Sequence, residues 1–138
     1  MKYVSIQLNE YLVEPSFRMC TDCVLFSKDF LNLFAVDDAL IDTGATRTSV
    51  SMDIIRELGV SPKQQELIEI GNELHDVNVY NVKMMLSPDL LFDLDVYGLP
   101  GEGRGVAIIG MDIIGKGKLI IEPSKGKHHK GELIFPTP

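Results

Sequence analysis

The chain is short of positive charge. Its 138 residues carry 13 lysines and arginines against 20 aspartates and glutamates, a formal net charge of −7. Nucleic-acid phosphates demand a basic stripe, so no nucleic acid is expected as a partner. The one basic cluster, Lys125, Lys127 and Lys130 with His128 and His129 between them, is brief, lacks interleaved aromatics and reads as an exposed loop. Acidic residues are scattered rather than gathered into a tail, as on an ordinary solvated surface.

Long apolar runs are missing too. No stretch approaches the ~20 residues that cross a bilayer. Residues 1–13 alternate apolar with polar side chains and place Glu10 where a signal peptide would be apolar. No membrane partner is expected, and the expectation is a cytoplasmic protein. Cysteine is scarce: Cys20 and Cys23 form one C-x-x-C, with no second pair. A zinc site normally takes four ligands, and a redox C-x-x-C belongs beside a βαβ pattern, which this segment lacks. The pair reads as structural thiols flanking a turn; His128 and His129 could complete a metal site only if the fold brought them close. No metal ligand and no cofactor is assigned. Repeats, low-complexity tracts and the length for two domains are lacking as well, so residues 1–138 read as one domain with its own core.

What is there is a rhythm of short strands and turn signals. Val4, Ile6 and Leu8 alternate with Ser5 and Gln7, as in a half-buried strand. Residues 18–25 and 31–36 are further strands, parted by a polar turn around Ser27, Lys28 and Asp29. Ser51 is placed to cap a short helix that runs to Leu58 and stops at Gly59. Residues 66–70 and 74–86 form a hairpin through Gly71-Asn72-Glu73, with a glycine able to take positive φ. Residues 91–97 begin another strand, and 98–105, rich in glycine, is the most flexible stretch. Residues 106–109 are a continuous apolar run, the mark of a strand buried on both faces. A helical turn Met111–Ile114 and strands at 118–122 and 132–135 complete the chain. The fold class is mainly β, a small partly closed barrel with one or two short helices.

Chemistry concentrates in two places. In Ala39-Leu40-Ile41-Asp42-Thr43-Gly44-Ala45 an apolar strand delivers a carboxylate to a tight loop of small and hydroxyl residues. A carboxylate at the end of a core strand is costly unless hydrogen-bonded or paired; the glycine lets backbone approach it, and the threonine hydroxyl can bond to a neighbouring chain. Well downstream, Val106-Ala107-Ile108-Ile109-Gly110-Met111-Asp112-Ile113-Ile114 is an apolar run ending in Ile-Gly before a short helix, suited to pack beneath that loop.

On these motifs and the hairpin between them, residues 34–122 resemble the retropepsin-like aspartic proteases, closer to the cellular and bacterial members than to the viral ones. The resemblance implies a catalytic Asp42, a Thr43 that grips its symmetry mate, and Gly44 completing the catalytic triplet. It implies a flap over residues 66–80 with Gly71 and Asn72 at its tip, and 98–105 as a side wall of the substrate groove. Ala45, Ile70, Gly71, Asn72, Val106 and Ile108 are the expected substrate-binding residues, and Val50 is a further apolar candidate for the groove. Two-lobed relatives, with both aspartates in one chain, need more than twice this length, so the implied assembly is a homodimer acting on a peptide or protein. Viral members carry an aspartate two places after the glycine and an arginine after the later Ile-Gly, as a supporting ion pair; Thr46 and Met111 stand there instead, and Arg47 with Asp112 is the expected replacement pair. The alternative use of the same fold is a catalytically silent dimer serving as a peptide-binding or scaffold module. Residues 1–33 and 123–138 match nothing in the resemblance.

Overall fold

The computed structural model describes residues 2–100 and 104–137. Eleven strands and two short helices are assigned among them: β1 Lys2–Gln7, β2 Asn9–Val13, β3 Ser16–Phe26, β4 Leu33–Ile41, β5 Ser49–Ser51, α1 Met52–Leu58, β6 Gln64–Ile70, β7 Glu73–Ser87, β8 Leu90–Leu99, β9 Ala107–Ile109, α2 Met111–Ile114, β10 Lys118–Pro123 and β11 His129–Thr137. The fold is mainly β, as the sequence implies. Eight strands form one sheet in the order β2-β3-β4-β9-β5-β8-β7-β6, and β1-β11-β10 form a second. An additional pairing of β3 with β7 joins the larger sheet back to itself, so β3, β4, β9, β5, β8 and β7 make a ring. No helix among the described residues is long and apolar enough to cross a membrane.

One core fills the space enclosed by these strands. Leu25, Val50, Ile54, Val79, Val82, Met84, Val96, Ile109 and Ile113 are wholly buried, and Leu133 and Phe135 join them from the terminal sheet. Alternation does the sorting: along β8, Leu94, Val96 and Gly98 face inward while their neighbours are more exposed. In α1 the inward residues Ile54, Ile55 and Leu58 share one side, and the helix stops at Gly59 in a left-handed conformation whose N–H returns to the last turn.

Several expectations need correction. The strand at 31–36 and the apolar 39–41 are one strand, β4. It passes through a bulge in which Asp37 and Asp38 face the single Asp22, with Asp38 at φ +61. Two adjacent acidic residues look like a break in sequence, whereas the bulge turns both outward. Ser51 sits at the helix start but makes no capping bond; its hydroxyl donates to Asp53 and accepts the Val106 N–H at 3.0 Å. Residues 106–109 are not buried on both faces. Ala107 and Ile109 enter the core while Ile108 is half-buried and Val106 is 37% exposed, because only one side of β9 meets the core. Gly98 and Leu99 belong to β8 rather than to a loop, and residues 101–103 of the expected side wall lie outside the described residues.

Candidate active site

Asp42 follows directly on β4. The neighbouring strand β9 runs parallel to β4, pairing Leu40 with Ile108 and Ile41 with Ile109. The Asp42 N–H extends this ladder to the Ile109 carbonyl at 2.9 Å. Beyond that bond the chain turns sharply. The Ala45 N–H donates to the Asp42 carbonyl at 3.2 Å, and the Gly44 N–H donates to Asp42 Oδ1 at 2.9 Å. The carboxylate is half-exposed, with Thr43 and Gly44 exposed beside it. Such a carboxylate keeps one oxygen fixed by backbone and the group as a whole open to a ligand or a second chain.

The downstream motif lies beneath this loop. The Met111 N–H donates to the Ala45 carbonyl at 2.7 Å. Gly110 fits against the loop so tightly that a Cβ there would stand 2.8 Å from the Ala45 carbonyl oxygen and 2.8 Å from the Arg47 carbonyl carbon. Its φ of −98° is open to any residue, so close approach, not backbone conformation, requires glycine here. Thr48 is fully buried and donates its N–H and its hydroxyl to the two oxygens of Asp112, at 2.9 and 2.8 Å.

Arg47 and Asp112 do not form the expected replacement pair. Asp112 is taken by Thr48, and Arg47 reaches the other way to Glu66 on β6, with Nη1 2.6 Å from Oε2. Thr48 turns its N–H and hydroxyl to Asp112 on α2, while Arg47 sits in the bend just before it and extends over Tyr97 toward the hairpin.

The sequence-derived site residues fall into two groups. Asp42, Thr43, Gly44 and Ala45 share one loop, and Ile108 lies on the strand beside it with Val106 just before that strand. Ile70, Gly71 and Asn72 form the exposed tip of the β6–β7 hairpin. Gly71 has φ +64 and open space around its Cα, the mark of a two-residue turn with glycine in the first position. Val50 is not a groove residue; it is wholly buried in the core, pairing with Ala107.

Residues before position 34 lie outside the resemblance, yet Phe17, Arg18 and Met19 on β3 wall a cavity of about 420 Å³ together with Asp42, Thr43 and Ile121. Nothing in their local pattern marks them, since it is the pairing of β3 with β4 that carries them there. Phe17 is held by His129, whose ring stacks on it at 3.8 Å. Both cysteines are buried in β3. Burial pushes the Cys23 thiol up to about 12 and raises Cys20 as well, which disfavours the thiolate that metal binding or redox exchange needs.

No family model matches the sequence, and no curated protein matches it. Among solved structures, the crystal structure of a retropepsin-like aspartic protease from Rickettsia conorii is similar to this chain with a TM-score of 0.65 and 11% identity, over 99% of this chain and 95% of that one. The likeness at that identity is one of fold.

Proposed function

We propose that the chain is an aspartic endopeptidase whose active site forms where two copies bring their Asp42 side chains together. The observation that carries this reading is the setting of Asp42: a half-exposed carboxylate just beyond β4, with one oxygen held by the Gly44 N–H. The retropepsin-like fold supports it.

One chain supplies one such carboxylate, and hydrolysis by this route needs an acid and a base together. Two carboxylates a few Å apart cannot both ionise cheaply, so the pair holds one proton between them. The ionised member takes a proton from a bound water, which attacks the scissile carbonyl carbon. The protonated member donates to the carbonyl oxygen, and a proton then passes to the leaving nitrogen as the C–N bond breaks. Gly44 keeps the carboxylate oriented, Thr43 is offered to the symmetry-related loop, and the β6–β7 hairpin acts as the flap over the peptide.

The test is cleavage of a mixed peptide library by the wild type and by Asp42→Asn, with the association state of both followed by sedimentation. Asparagine keeps the shape and removes acid and base alike. Loss of cleavage with the dimer intact is the expected result. Equal cleavage by both proteins would sink the assignment, and a dimer that binds peptides without cutting them points instead to a binding module.

A further inference from the structure

We propose that Arg47 and Glu66 form a latch that holds the β6–β7 hairpin against the loop carrying Asp42, making both of them positioning residues for the closed state of the site. The consequence for catalysis rests on the peptidase reading; the latch itself does not.

The hairpin has little else to hold it. Strand β6 is the edge of the larger sheet and, among the described residues, pairs only with β7. From Gln64 to Asp76 no residue is buried, and the first core residue of the ascending strand is Val77. A segment with so little buried apolar surface opens locally at low free-energy cost. Within β6, Glu66 and Ile68 are half-buried while Gln65, Leu67 and Glu69 are exposed, so one face of the strand is turned toward the protein. Glu66 on that face meets Arg47.

The loop end of the latch is rigid. Arg47 is fixed on one side by the close approach of Gly110 to its backbone and on the other by Thr48, whose N–H and hydroxyl are anchored on Asp112. Its guanidinium lies over the Tyr97 ring, 4.8 Å from the centroid, and the Tyr97 N–H donates to the Thr48 carbonyl at 3.1 Å. A cation already held by ring and backbone loses little further freedom when a carboxylate arrives. Gln64 supports the other end, its side-chain amide donating to the same Glu66 oxygen at 3.3 Å. Both members are about one-third exposed, 30% for Arg47 and 31% for Glu66. That exposure suits a contact that must break and re-form, because water screens the pair and keeps its strength modest.

Amide hydrogen exchange across residues 64–79 of the full chain tests the latch without reference to activity. In Glu66→Gln, exchange of the hairpin amides is expected to quicken roughly two- to fivefold, the range that a partly exposed ion pair supports, with the β1–β11 ladder unchanged. In the wild type, about 1 M salt should produce the same acceleration, and in Glu66→Gln it should produce little more. The charge-exchanged R47E/E66R protein should recover slow exchange relative to either single variant. Unaltered hairpin exchange in Glu66→Gln overturns the latch, as does acceleration spread evenly over the whole chain. If the wild type cleaves no peptide, the peptidase reading fails while the exchange result still decides the latch.

Discussion

Thr48 gives both its backbone N–H and its hydroxyl hydrogen to the carboxylate of Asp112, across 64 residues of sequence. The Thr48 oxygen in turn accepts the Gly110 N–H at 3.2 Å, and Asp112 Oδ1 also accepts the Ile113 N–H at 3.0 Å. One acidic side chain therefore binds the strand that leaves the Asp42 loop to the start of α2.

Replacing Asp112 by Ala strands two donors of a fully buried residue. Unfolding in urea should show a loss of about 2–3 kcal/mol. Thr48→Val removes only the hydroxyl and should cost about 1 kcal/mol. A change below about 0.5 kcal/mol in Asp112→Ala, the range of an ordinary surface substitution, contradicts the role given to this carboxylate.

At Gly110 the expected effect is steric. A methyl group there meets the Ala45 and Arg47 backbone rather than a side chain that could swing away. Gly110→Ala should lower stability by about 1–3 kcal/mol. If the chain is the proposed peptidase, it should also reduce peptide cleavage by more than that loss explains, since a displaced Asp42 would misalign the reacting groups. Denaturation and cleavage assays on one preparation separate the two effects. Activity that merely tracks the folded fraction would show that the loop does not move.

How far the sequence discloses the molecule depends on whether its signals are local. The apolar strand before Asp42, the Gly71 turn and the short helices carry their cues within a few residues, and each stands where those cues put it. The strands β2 and β5 leave no such local cue: β2 is mostly exposed, with Tyr11, Leu12 and Val13 open to solvent, and β5 has only three residues, too few for alternation to register. Opposite charges suggested an Arg47–Asp112 pair. The choice of Glu66 and Thr48 as the real partners follows from the bend at Arg47 and from which chain segments meet, and neither is written near position 47. Likewise Phe17 and Arg18 reach the cavity beside Asp42 only through long-range pairing of β3 with β4.

Glu10 supplies a pH test of the terminal region. His128 Nδ1 lies 2.9 Å from one carboxylate oxygen, and His129 approaches the other with Nδ1 at 3.1 Å and with its N–H. The bond from His128 chiefly, with those from His129, holds the Glu10 carboxyl below its ordinary range, against the desolvation that raises it. A carboxyl depressed in the folded state contributes stability above the ordinary carboxylate range and loses it as pH falls through the folded value. Thermal unfolding should therefore show Glu10→Gln less stable than wild type near about pH 6, with the gap closing toward about pH 3. A gap that stays constant over that span contradicts the assignment.

The shared active site is tested most directly by mixing. Asp42→Asn protein is added to a fixed concentration of wild type, subunits are allowed to exchange, and the rate of peptide cleavage is followed. If each site needs Asp42 from both copies, mixed dimers are silent, and an equal amount of variant lowers the rate to about half. Larger amounts should lower it further in proportion to the wild-type fraction. A rate that holds constant at every ratio would mean that each chain works alone, and the account of a dyad built from two Asp42 carboxylates would be wrong.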